Sequence, residues 1–138
     1  MLIENPDTVK YYNLPESVEV TAMPKASDEM IETSYYNSSF DENSTPLSVY
    51  NTTDCAYTVL KNSDVENGRI AIISDKFGYG IAPFLTANYN EVHLIDIDNF
   101  ERNVKNYLEE NEISTVVYLN GIMSANTAAK TAKTDAMF

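Results

Sequence analysis

The sequence predicts an α/β fold built on a parallel sheet, and three observations carry that prediction. Residues "RIAIIS" (69–74), "EVHLIDI" (91–97) and "STVVYL" (114–119) are short, strand-sized apolar runs, the first of them continuous, as expected of a strand covered on both faces. Helix-type segments separate them, and the links are short. Strand, helix, strand, helix, strand in that order means right-handed βαβ crossovers and parallel pairing. The core is a βαβαβ unit over residues 69–119, preceded by short strands and loops.

Before Gly68 the composition is polar, with few long apolar runs. "SVEVTAM" (17–23) alternates at period two and reads as a half-buried strand. "SSFDENSTP" (38–46) is a loop by composition. "LSVY" (47–50) and "AYTVLK" (56–61), joined by "NTTD", read as two short strands in a hairpin. After Gly68 comes the first core strand, then "GYGIAPFLTANY", expected as a helix over 79–88 that tolerates Pro83 near its start. "NFERNVKNYLEEN" (99–111) is the second helix, since Phe100, Val104, Tyr107 and Leu108 fall on one face. The tail "SANTAAKTAKTDAMF" is Ala-rich, suits a helix with a thin apolar face, and is expected to be partly mobile. The expected organisation is one domain: short strands and loops over 1–67, core over 68–121, tail over 122–138.

A chain of 138 residues has room for one modest core and little more. Its net charge of −12 disfavours nucleic acid and anionic membrane surfaces, which are bound through clustered Lys and Arg. The longest apolar stretches are strand-sized, so membrane insertion is not expected. "MLIENPDTVK" lacks the charged and apolar regions of a signal peptide, and a polar start of this kind also suits a fragment of a longer protein. Cys55 is the only cysteine and His93 the only histidine; together they make no zinc ligand set, and no metal or cofactor is expected. Sequons at Asn37, Asn43 and Asn51 matter only in a eukaryotic secretory setting. Ten tyrosines are scattered through the chain; most are expected in packing, with an exposed subset in residues 11–57 able to stack on sugars.

In open parallel sheets ligands sit beyond the carboxyl ends of the strands. Three segments meet that edge: Ser74 to Gly80, Asp96 to Asn99, and Asn120 to Ser124. The candidate ligand-binding residues are Ser74, Asp75, Lys76, Phe77, Gly78, Asp96, Asp98 and Asn120. A catalytic reading makes Ser74 or Lys76 a nucleophile helped by Asp75, Asp96 or Asp98. The simpler reading, which composition favours, has Asp75 capping the next helix and Lys76 pointing to water. His93 lies within a strand, far from the end where acid–base work would need it, and is read as a strand histidine with a satisfied ring. "FGYG" has neither the P-loop ending nor the three-glycine dinucleotide spacing.

The order of features from residue 69 resembles a known family. An apolar strand leads to an Asp-Ser-aromatic turn, here Asp75, Lys76 and Phe77. A small-residue helix ends in Pro83, Phe84 and Leu85. A strand carrying Tyr89, Glu91, Val92, Ile95 and Asp96 follows, then a helix ending in Glu110, Asn111 and Ile113, and a final apolar strand. The run resembles the C-terminal part of the DHHW-motif proteins, in the alginate O-acetyltransferase-like branch of the SGNH hydrolase superfamily, and the likeness covers about residues 45–121. It implies an SGNH- or flavodoxin-like sheet and a bacterial, extracytoplasmic or cell-surface setting.

Active members resemble esterases and O-acetyltransferases in which the turn serine attacks with help from a His and an Asp of an upstream Asp-x-His-Trp motif, because a serine hydroxyl needs a base. Three departures coincide in this chain. The serine position is Lys76, no Asp-x-His-Trp motif and no Trp occurs, and Asp98 replaces the Arg usual two residues after the Ile-Asp aspartate. Asp75 and Lys76 therefore mark a degenerate site. The expected role is binding or accessory, with a cell-surface glycan or a protein as partner. Alternatives are half of a split esterase or O-acetyltransferase completed by another chain, and a flavodoxin-like small-molecule binder. Apolar surface left uncovered by three core strands predicts self-association or a partner chain.

Overall fold

In the computed structural model, which describes residues 10, 12–39 and 44–138, six strands form one sheet in the order β2-β1-β3-β5-β4-β6. The leader reading of residues 1–9, and the middle of the 38–46 loop with Asn43, lie outside the described residues. The strands are β1 (Val18–Pro24), β2 (Ile31–Glu32), β3 (Cys55–Asn62), β4 (Arg69–Ser74), β5 (Glu91–Asp96) and β6 (Thr115–Leu119). The expected parallel core is present: β4 runs parallel to β5 on one side and to β6 on the other. The sheet as a whole is mixed, because β3 lies antiparallel to both β1 and β5, and β2 antiparallel to β1.

Alternation along the strands assigns every side chain to one of two layers. Ala71, Ile73, Ile95 and Ile97 face one side, where they pack with Tyr57, Phe100, Val104, Tyr107, Ile113 and Met137. Ile70, Ile72, Val92 and Leu94 face the other, with Val20, Tyr35, Leu60, Tyr79 and Ala82. Helix α2 (Val104–Glu110) covers the first layer and the short α1 (Ala82–Leu85) the second. Of the residues predicted for the face of the second helix, Phe100, Val104 and Tyr107 are 2% exposed or less, and Leu108 is partly buried against the same layer; burial of this kind contributes about 1.5–3 kcal/mol per large side chain.

Three element boundaries differ from expectation, each for a local reason. "LSVY" is not a hairpin strand. Pro46 opens a 3-10 turn over Pro46–Val49, since its fixed φ suits the first position of a turn, and Tyr50 makes only a single bridge to Tyr36. The first expected helix begins instead as a 3-10 turn over Lys76–Gly80 capped by Asp75, and α1 then ends at Leu85. The second starts at Val104 rather than Asn99, because the Asn103 side chain accepts from the Asn106 N–H as an N-cap. The tail folds into α3 (Ile122–Ala125) and α4 (Ala128–Met137), with Met137 4% exposed in the first core layer.

Candidate functional site

The carboxyl ends of β4, β5 and β6 bring together the three segments singled out in the sequence. At the end of β4, Asp75 organises the turn. Its Oδ1 accepts from the Phe77 N–H at 3.0 Å, capping the 3-10 turn, and its Oδ2 accepts from the Gly121 N–H at 2.9 Å. The Asp75 N–H in turn donates to Asn120 Oδ1 at 3.1 Å, so β4 and β6 are tied together beyond their last ladder bond. Burial disfavours the Asp75 carboxylate, but the Ser124 hydroxyl, the two backbone N–H donors and nearby Lys130 outweigh it and lower its pKa.

Lys76 does not point to water, contrary to the simpler sequence reading. Its ammonium folds back and lies 2.5 Å from Asp96 Oδ2 and 2.5 Å from the Thr53 carbonyl, while its side chain keeps 30% of its exposure. The reason is Asp96, which is 1% exposed at the end of β5. A carboxylate buried there without a counter-charge is costly, and the alkyl stem of a lysine is long enough to reach over the turn. Asp96 also accepts from the Tyr79 hydroxyl at 3.1 Å and from the Asp98 N–H at 2.8 Å. Tyr79 is itself buried, and burial together with the Asp96 charge raises its pKa strongly. Cys55 lies close by, its thiol pKa raised by burial and by Asp54, which makes it a poor nucleophile.

The remaining candidates are occupied by structural bonds. Ser74 is fully buried, and its hydroxyl donates to the Asp75 carbonyl at 2.7 Å. Gly78 is required above it: a Cβ there would sit 2.7 Å from Ser74 Cβ and from Leu94 Cδ1. Phe77 is 67% exposed and rests on Gly121. Asp98 pairs with Lys130, and Lys133 donates to its carbonyl at 2.5 Å, so α4 is clamped to the end of β5. Asn120 donates to the Tyr118 hydroxyl at 2.6 Å. The N–H groups of Phe77 and Gly78, at the start of the turn, already bond to Asp75.

His93 stands apart from this cluster. It is paired in register with Ala71 of β4 and Val59 of β3, and strand alternation turns it to the face opposite Asp96. Its Nδ1 is 2.8 Å from the Tyr107 hydroxyl and its Nε2 3.4 Å from Glu91. Burial lowers its pKa, with Glu91 pulling the other way. Sequence reasoning missed Thr53 and Tyr79 as members of the site. A backbone carbonyl carries no sequence signal, but Tyr79 was available from its place three residues after Lys76.

Two clefts open beside the cluster. One of about 430 Å³ is lined by Met23, Lys25, Asp28, Tyr57, Phe100 and Arg102, among others. The second, about 370 Å³, is aromatic: Tyr12, Tyr36, Tyr50 and Phe84 surround it with Lys10 and Gly80. Its rings are in contact, Tyr12 with Phe84 at 4.9 Å and Tyr36 with Tyr50 at 5.9 Å between centroids. Among the described residues, no group of three or more His, Cys, Asp or Glu side chains converges on a metal-sized site.

Known structures share this architecture. A DHHW family protein from Eubacterium siraeum superposes with a TM-score of 0.76 at 17% identity, covering 96% of this chain and 44% of that one. PatB1 of Bacillus cereus superposes with a TM-score of 0.64 at 20% identity, covering 75% of this chain and 35% of that one. A second PatB1 structure, with a sulfonyl adduct, gives the same score at 19% identity. The chain thus spans less than half the length of these proteins, and the likeness is one of fold. No protein-family model and no curated protein matches the sequence.

Proposed function

We propose that this chain is an SGNH-like domain of the DHHW kind whose catalytic position has become structural, and that it binds rather than turns over its ligand. The observation that carries this reading is the Lys76–Asp96 pair. The residue at the apex of the turn is held 2.5 Å from a buried carboxylate as its ion-pair partner, with no histidine beside it and the nearby N–H donors already bonded. An attacking group needs a free lone pair and a base within hydrogen-bond reach, and the only histidine lies on the other face of the sheet. The fold shared with a DHHW family protein supports the same assignment.

For its ring-lined walls, we take the aromatic cleft as the ligand site. Rings of Tyr12, Tyr36, Tyr50 and Phe84 around about 370 Å³ offer stacking faces for the apolar side of a saccharide, with Lys10 at the rim for a carboxylate or hydroxyl. Incubation with an aryl sulfonyl fluoride and with a simple acetyl ester tests the catalytic half. No adduct on residues 74–77 and no turnover above a heat-denatured control are expected. A stoichiometric adduct at that turn with ester hydrolysis would overturn the reading, and turnover appearing only with a second protein that supplies His and Asp would favour a split enzyme. Titration with neutral and uronic oligosaccharides, read by tyrosine fluorescence and lost in Tyr50→Ala, tests the binding half.

A further inference from the structure

The two edges of the sheet are unlike. At one, β2 has two residues, Ile31 and Glu32, preceded closely by Asp28 and Glu29. Short length and charge are how proteins protect an edge from pairing with other chains. At the other, β6 has five residues and no charge, and it pairs only with β4 among the described residues. Val116, Val117 and Tyr118 are 41–49% exposed, and Ile122 and Met123, just beyond the strand, are both 82% exposed. From Ile113 through Ala129 the chain carries no charged side chain, the longest such run in a sequence of net charge −12.

We infer that β6 is a homodimer seam, at which a second copy of this chain adds its own β6 to form one continuous sheet. Charge distribution selects the occupant. A foreign partner drawn to so acidic a protein would be basic and would meet an acidic face. The unguarded edge instead lies in the longest uncharged stretch of the chain, where two like-charged copies approach at low cost, their remaining charges screened beyond about 8 Å at physiological salt. The same strand edge satisfies itself only when the two copies run antiparallel, about a two-fold axis. Centring that axis on Val117 pairs all five residues: Thr115 with the second copy's Leu119, Val116 with its Tyr118, and Val117 with its Val117. Val116 against Tyr118 is a β-branched–aromatic cross-strand pair, a favourable kind. Ile122 and Met123 extend the apolar seam at either end. The inference does not depend on the binding function proposed above.

The test is the oligomeric state of the full chain by size-exclusion chromatography with light scattering at micromolar concentration. The unaltered protein should be a dimer. Val117→Glu, at an exposed position that leaves the circular dichroism unchanged, should set two carboxylates opposite one another and weaken dimerisation about tenfold or more. Val117→Lys alone should do the same, while mixing the two variants should restore a dimer through the opposite-charge pair. Val117→Cys in a Cys55→Ala background should oxidise to a disulfide dimer, as directly opposed strand positions allow. A monomeric unaltered chain, a dimer indifferent to Val117→Glu, or no rescue on mixing would each overturn the seam.

Discussion

Replacing Lys76 by Met removes the ammonium while keeping the alkyl stem, and leaves Asp96 buried without its counter-charge. Asp96 retains two donors, the Tyr79 hydroxyl at 3.1 Å and the Asp98 N–H at 2.8 Å, so it is not wholly abandoned. Removing one partner of a fully buried pair costs about 3–5 kcal/mol, and of an exposed pair about 0–1 kcal/mol. Here the carboxylate is 1% exposed and the lysine side chain 30%, which places the pair nearer the buried limit after allowance for solvent screening. The expected loss is about 2–3 kcal/mol, or a fall in Tm of about 8–12 °C for a chain of this size. Adding Asp96→Asn should recover part of it, giving a coupling energy of about 1–2 kcal/mol in the double-mutant cycle. Urea unfolding followed by circular dichroism measures all four corners. A Lys76→Met variant within about 0.5 kcal/mol of the parent would mean that the pair contributes nothing and that Lys76 sits in water. The structural account of the turn would then fail.

Lys76→Ser should not restore ester hydrolysis, because the hydroxyl would lack a histidine within reach; activity in Lys76→Ser that is lost on adding His93→Ala would refute this. Burial lowers the His93 pKa, so the unfolded chain takes up the proton first, and stability present above about pH 6.5 should decline as pH falls toward the folded value. His93→Gln should flatten that slope in stability measured across the same range. Asp75 has a lowered pKa, so its contribution should be intact above about pH 4 and lost on acidification through its folded value; Asp75→Asn should remove that acid dependence at a cost of about 1–2 kcal/mol. Gly78→Ala should destabilise by about 1–3 kcal/mol through overpacking against Ser74 and Leu94. Gly121→Ala should cost less, since its close contact is with the exposed Phe77 ring, which can swing away, and Asp75 Oδ2 lies farther off at 3.3 Å.

The local grammar of the chain determined its central architecture. Short apolar runs such as "RIAIIS" between turn signals read as strands, and helix-type segments between them imply parallel neighbours, so β4, β5 and β6 and the inward face of α2 were legible from pattern, whereas the exposure of β6 at the sheet edge was not. The same pattern, with one topological rule, placed Ser74–Gly80, Asp96–Asn99 and Asn120–Ser124 on one edge. Tertiary structure decided what the sequence left open, and in each case the reason is that the deciding partner lies far along the chain. "LSVY" is strand-like by composition, yet β3 finds longer ladders in β1 and β5 than four residues after a proline could offer. Lys76 is a surface residue by type, but a buried carboxylate twenty positions away, at the end of the neighbouring strand, draws it in. The tail has a thin apolar face by itself; Lys130 and Lys133 on Asp98, with Met137 in the core, hold it to the sheet. Local periodicity sets which residues face inward, whereas the pairing of a buried charge is a property of the assembled edge, where Coulomb energy and desolvation act between segments that the sequence keeps apart.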